Sequence, residues 1–158
     1  MSKFAGEQLD DSLLSRLSLD RAIERADRAI VICTIDEHGW PHPAMVSSLE
    51  LVARDARNIR LALHARSRSV RNVTTNGRLT LIVVDDGSAH YVKGDARVVA
   101  PALSARPDHS KINLRVDSVL EDVAADYEHA RITSGLQIER AAIDAAAARA
   151  LLEELRAD

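Results

Sequence analysis

A chain of 158 residues with 46% hydrophobic and 28% charged residues is long enough to bury a core and has the composition of a globular domain. A net charge of −3 gives no pull toward nucleic acid or membrane, and 3% aromatic residues argue against a base-stacking surface. No apolar run reaches membrane-spanning length and the first residues lack an apolar leader core, so a cytoplasmic location is expected.

Residues 9–29 carry Leu13, Leu14, Leu17, Ala22, Ile23 and Ala26 at helical spacing, with Ser18 and Asp20 as caps for a second segment. Residues 9–28 are expected to form a helical lid on a barrel end. The continuous run 29–35 (AIVICTI) predicts a strand covered on both faces. Cys33, the only cysteine, lies inside it, which excludes an internal disulfide and points to a structural thiol. Asp36 to Gly39 predicts a hairpin loop with a positive φ at Gly39. Pro41 and Pro43 flank His42 and place the next strand at a sheet edge. That strand is expected to continue through residues 44–53, interrupted in its apolar pattern by Ser47-Ser48. Residues 54–58 form a turn, and residues 59–64 alternate as a third strand.

Ser67 is a good N-cap, Val70 and Val73 give a short helix one apolar stripe, and Asn76-Gly77 ends it. Residues 79–84 then read as a buried strand, and after a turn at 85–88 residues 90–100 read as a fifth. The helix is unusual in charge. Arg66, Arg68 and Arg71 crowd its first turns, where the macrodipole is already positive, and no acidic residue of the stretch offsets them. An anion at the helix start would relieve this, and phosphate suits such a place. A solvated basic turn is the plainer alternative.

Residues 101–111 look like a loop. Residues 118–127 place Val119, Leu120, Val123 and Tyr127 on one helical face. Residues 131–138 are expected to return to the barrel as a sixth strand, with Gly135 as its weak point. Residues 139–155 are Ala-rich and helical, with Ile143, Leu151, Leu152 and Leu155 as the apolar members. One helical crossover among short hairpins excludes a doubly wound parallel sheet and favours a small closed barrel. The expected fold is mainly β with flanking helices, one domain over residues 1–158: lid 9–28, barrel 29–138, C-terminal helix 139–156.

The stretch from Arg66 to Val84 resembles the FMN-binding split barrel of the pyridoxamine 5′-phosphate oxidase family. Ser67-Arg68-Ser69 takes the place of that family's Ser-Arg-Lys turn, Arg71-Asn72-Val73 matches its helix, and Asn76-Gly77-Arg78-Leu79-Thr80-Leu81 matches the helix exit and strand. Upstream, residues 29–45 (AIVICTIDEHGWPHPAM) resemble its opening hairpin, and downstream residues 91–99 (YVKGDARVV) resemble its Val-x-Gly-x-Ala strand. The three matches keep the family order and spacing. They imply a six-stranded antiparallel split β-barrel, and a homodimer with FMN at the subunit interface. The dimer is also expected from the apolar faces of the two helical ends.

The resemblance further implies a cofactor site made of Val46, Ser47 and Ser48, whose backbone would run along the isoalloxazine edge. Ser67, Arg68 and Ser69, with Arg71 and Asn72, would surround the phosphate, and His64 stands where the family commonly has a Thr or Ser touching it. Isoalloxazine carries the redox chemistry, so no catalytic side chain is nominated. The sequence departs from the authentic oxidases at Ser69, Ala44 and Leu49, where they carry Lys, Arg and Lys, and near Ala89, where they carry Gln. The C-terminal substrate-binding Arg and Pro pattern is also missing, so pyridoxamine-phosphate oxidase activity itself is not expected. Two function classes follow: a flavin-dependent oxidoreductase of unknown substrate, or a binding module for flavin, deazaflavin or haem, including a barrel that has lost its cofactor. For haem, His64 or His90 would be the axial ligand. The six histidines show no metal pattern, since His38 and His42 only flank a turn.

Overall fold

Alternating inward side chains and tight turns between residues 28 and 122 produce antiparallel strands whose two ends meet. The computed structural model describes residues 2–158. The N-terminal part holds β1 (Lys3–Gly6), α1 (Asp11–Arg16) and α2 (Leu19–Glu24). Then come β2 (Arg28–Ile35), β3 (Pro41–Ser47), β4 (Leu51–Asp55), β5 (Asn58–His64) and α3 (Arg68–Asn76). The long strands β6 (Arg78–Asp85), β7 (Ser88–Ala100) and β8 (His109–Asp122) follow, then β9 (Leu136–Gln137) and α4 (Ala145–Arg156).

Every pairing is antiparallel, in the order β3-β2-β6-β7-β8-β5-β4, with β1 on β8 and β9 on β2. The two ends of this order, β3 and β4, are neighbours in sequence, joined by a 3-10 turn at Ser48–Glu50. Taken as one bent strand, they leave a curled sheet of six strands, which is the split-barrel architecture expected. The single strand expected over residues 44–53 is therefore corrected. It breaks at Ser47, whose side chain caps Leu49 N–H while Glu50 reaches back to the Ser47 N–H, a reciprocal capping box. Pro41 and Pro43 lie on β3, at the edge as expected, and Gly39 has φ 81° in the hairpin loop.

Ile30, Ile32, Leu61, Leu81, Val92, Ile112 and Leu114 point into the barrel. Leu9, Leu13 and Leu17 stopper it, anchored where Ala53 N–H donates to Leu17 C=O at 2.7 Å. The lid exists as α1 and α2, capped by Asp10 and Ser18, with Asp20 inside the first turn of α2 instead of capping it. The strand over 29–35 is buried on alternate residues only, leaving Val31, Cys33 and Ile35 partly open on its outer face. A second core lies outside the barrel, where Leu151, Leu152 and Leu155 of α4 cover Val52 of β4 and Ala62 of β5. The helix begins after Asp144, which caps Ala147 N–H, so residues 139–144 are not helical and Ile143 is exposed.

The helix expected over 118–127 is a strand through Asp122. Its inward side chains run Ile112, Leu114, Val116 and then Val119, because Gly94 pairs with Val116 and Lys93 with Ser118, leaving Asp117 as a bulge. Of the four residues read as one helical face, Val119 points inward and Leu120 outward on β8, while Val123 and Tyr127 lie past the end of the strand and are exposed. Gly94 permits the bulge, since a Cβ there would lie 1.9 Å from the Arg115 carbonyl oxygen. The return strand expected over 131–138 shrinks to Leu136–Gln137 on Arg28 and Ala29. Gly135 passes so close to β6 that a Cβ would lie 2.6 Å from the Val84 carbonyl oxygen.

Candidate functional site

The basic stretch that follows β5 folds as α3, capped at both ends. Ser67 Oγ accepts Val70 N–H at 3.2 Å and starts α3. Val70 and Val73 are buried in the barrel mouth, and Gly77, with φ 74°, ends the helix by donating its N–H to the Val73 carbonyl. Asn72 faces inward and donates its amide to Thr34 Oγ1 at 2.9 Å, tying α3 to β2, and Ser69 is buried beside it. Arg66, Arg68 and Arg71 are exposed. Among the described residues none of the three forms a salt bridge, and no acidic residue stands in the helix's first turn. The positive field of Arg68 reaches the β2–β3 loop. There the Asp36 carboxyl is lowered, chiefly by the Trp40 N–H at 2.9 Å, with Arg68 among the lesser causes.

A polar chain connects this helix start to the end of β3. His64 Nδ1 accepts Arg66 N–H at 3.3 Å, which puts the imidazole proton on Nε2. Its ring meets His109 across the β5–β8 pair edge-on, with centroids 5.5 Å apart. His109 Nδ1 lies 2.8 Å from Asp108 Oδ1, and this hydrogen bond is the main reason the Asp108 carboxyl is lowered. His109 Nε2 is 4.0 Å from Glu50 Oε1, which accepts Arg106 Nη1 at 2.7 Å. The other Glu50 oxygen accepts Ser47 N–H at 2.9 Å. Arg140 completes the line, donating to Ser47 Oγ at 2.7 Å and to the Ala26 carbonyl at 3.0 Å.

The β5–β8 register thus brings His64 beside His109, and His109 lies within 4.0 Å of the Glu50 carboxylate that accepts from Ser47, while Ser67 and Arg68 follow His64 at the start of α3. Val46 and Ser48 stand beside Ser47 with their side chains inward, Ser48 Oγ donating to the carbonyls of Ala22 and Arg25 at 3.2 and 2.7 Å. Glu50, Arg106, Asp108, His109 and Arg140 were missed by sequence. Only Glu50 carried a signal, the Ser-x-x-Glu spacing of a capping box. No group of His, Cys, Asp or Glu able to hold a metal ion occurs among the described residues, and no helix there is long and apolar enough to cross a membrane.

The family model described as pyridoxamine 5′-phosphate oxidase matches residues 20–149, well over half of the chain. The chain belongs to the pyridoxamine 5′-phosphate oxidase-like family. The uncharacterized protein YclD of Bacillus subtilis strain 168 is 33% identical over 139 residues, covering 88% of this chain and 83% of YclD. Among solved structures, a candidate pyridoxamine 5′-phosphate oxidase of Lactobacillus delbrueckii superposes with a TM-score of 0.59 at 16% identity, covering 75% of this chain and 98% of the other. An FMN-binding protein of Syntrophomonas wolfei gives 0.53 at 13%, covering 73% and 90%. Both likenesses establish the split-barrel fold.

The family's departures in this chain can now be placed. Leu49 is buried against Ala26 and Ala148, in the contact between the 3-10 turn and α4. Ser69 is buried at the first turn of α3, and Ala44 is half-buried on β3. Two of the three positions that carry cations in authentic oxidases are thus closed off by packing.

Proposed function

We propose that this member of the family binds FMN, as a homodimer, and acts as a flavin-dependent oxidoreductase. The carrying observation is the set of exposed arginines Arg66, Arg68 and Arg71, without an ion-pair partner among the described residues, at the positive end of α3. Phosphate is the group such a place stabilises, through backbone N–H groups and charge-assisted bonds together. Arg68, aided by Arg66 and Arg71, would hold the phosphate. The Ser67 hydroxyl organises the helix start, and Asn72 fixes the helix on β2. The isoalloxazine edge would lie along the β3 main chain at Val46, Ser47 and Ser48.

Bound flavin supplies the electron and hydride chemistry, and the residues of this chain bind and orient it. With Leu49 and Ser69 where authentic oxidases have lysines, pyridoxamine phosphate is not the substrate.

The proposed dimer would use a surface other than the helical ends. Those are largely covered, because Leu13, Leu19, Leu151, Leu152 and Leu155 are buried within the chain and Leu14 is half-buried. Instead, direct cross-strand pairing lines up Met45, Val31, Ile82, Tyr91, Leu120 and Phe4 in one row on the outer face of the sheet. Met45 and Phe4 are 67% and 65% exposed. A continuous apolar row of this kind is a surface for a second copy.

Flavin absorption in freshly purified protein, or uptake of added FMN by colourless protein, is the expected result. A colourless protein that takes up no FMN would contradict the reading, and a Soret band would move it to haem. Sedimentation at micromolar concentration should show a dimer, and a lone 17.3 kDa species would exclude it.

A further inference from the structure

The chain between β8 and α4 is a strap that contributes nothing to the core. No residue between Val119 and Ala148 is buried, and Tyr127, Leu136 and Ile143 lie exposed along it. Its ties to the barrel are polar. Arg131 forks onto Asp86, and the Ile132 carbonyl accepts Gly87 N–H at 2.7 Å. Leu136–Gln137 then pair with Ala29 and Arg28, and Ile138 N–H donates to the Asp27 carbonyl at 2.7 Å. From there the strap rounds the start of β2, and Arg140 donates from Nε to the Ala26 carbonyl at 3.0 Å and from Nη2 to Ser47 Oγ at 2.7 Å. A segment held by exposed hydrogen bonds, without buried apolar side chains, opens at small cost while the barrel stays folded.

Ser47 is where such opening has a consequence. It is only 6% exposed, and its polar groups are taken: Glu50 accepts its N–H, and its Oγ accepts both Leu49 N–H and Arg140. Leu49 and Glu50 belong to the turn that Ser47 itself caps. Arg140 is the one partner among these that comes from a separable segment. The flavin reading lays the isoalloxazine edge along this same residue, so the guanidinium on Ser47 and a ring edge beside it compete for one place.

We propose that Arg140 latches the strap over Ser47 and that FMN binds by displacing the latch. The proposal rests on the flavin reading and adds to it a cover that has to move. A closed latch lowers the apparent affinity for FMN by the fraction of molecules in which it is open. Removing the guanidinium therefore favours FMN, whereas a guanidinium that held the flavin would be missed. The sign of one substitution separates the two roles.

FMN is titrated into the full-length protein and into Arg140→Ala, and hydrogen exchange of the Ile138 amide is followed in both. Arg140→Ala should bind FMN roughly tenfold more tightly, the release of one charge-assisted bond. Without FMN, its Ile138 amide should exchange faster than that of the unmutated protein. In the unmutated protein, FMN should speed exchange at Ile138 while leaving the amides of β2 protected. FMN uptake by the variant alone would support the latch equally. Equal or weaker binding by Arg140→Ala, or an Ile138 amide in the unmutated protein that FMN protects or leaves unchanged, overturns the latch and leaves the flavin reading standing. The exchange of the unmutated protein decides the matter even where the variant fails to fold. If neither protein takes up FMN, the latch and the flavin reading fall together.

Discussion

Two arginine clusters lie on this barrel, and they are built on opposite principles. At the start of α3, Arg66, Arg68 and Arg71 stand in solvent with no carboxylate partner among the described residues, against a helix end of like sign. Beside α2, Arg16 and Arg25 are only about a quarter exposed and converge on one carboxylate, Asp85. Water screens the first cluster, so it costs little and remains open to an incoming anion. The second is shielded, so its charges must be matched inside the protein and it has become part of the fold. The same residue type therefore forms the proposed phosphate place in one region and a structural joint in the other, and the two differ in exposure.

The comparison breaks most visibly at Asp85. Asp85→Ala leaves Arg25 and Arg16 half-shielded without their acceptor and should cost about 3 kcal/mol in urea unfolding. No single arginine substitution at α3 should approach that. A loss of less than about 1 kcal/mol would mean that water already satisfies the α2 cluster as well.

Acid titration sharpens the same contrast. The Arg25 fork, with help from the Asp86 N–H, holds the Asp85 carboxyl down at about 2 from its ordinary 3.8. The folded state thus binds this proton less readily than the unfolded state does. Its contribution, about 2 kcal/mol, is complete above pH ~4 and drains away as pH falls toward 2. Stability curves of the unmutated protein and Asp85→Asn should converge over that window. Parallel curves would remove Asp85 from the acid response.

The smallest effect is expected at α3. Arg68→Ala in protein free of FMN should be neutral or stabilising by about 0.3–1 kcal/mol, because it takes a positive charge from the positive end of a helix dipole. Thermal melts check the sign. A clear destabilisation would show that Arg68 has a structural partner and that the clusters are less different than their exposure implies.

The exposed cluster was legible in the sequence and the shielded one was not, for a physical reason. Everything that makes α3 is local: the cap at Ser67, the Val70–Val73 stripe and the left-handed Gly77 lie within one short stretch. The joint at Asp85 depends on partners 60 residues away, brought together only when β6 ends beside α2. His64 and His109 meet through the β5–β8 register, which no local pattern encodes. The fold class survived such gaps because the strand periods and hairpin turns of β2, β5, β6 and β7 are local. What misled was the end of β8, where Val119 and Leu120 of the strand and Val123 and Tyr127 beyond it fall by chance at helical spacing, and the 44–53 run, where a Ser-x-x-Glu cap splits what composition joins. Arg140 on Ser47 bridges 93 residues and left no trace in the sequence.

The central claim is that the open cluster at α3 holds the flavin phosphate, and melting of Arg68→Ala with and without FMN tests it most directly. In its absence the variant should melt at or slightly above the unmutated protein. In its presence the order should reverse, because FMN should stabilise the unmutated protein and bind the variant more weakly by at least ~1.5 kcal/mol, about tenfold in Kd. An unmutated protein whose melting ignores saturating FMN, or a variant that responds to FMN in full, would contradict the account.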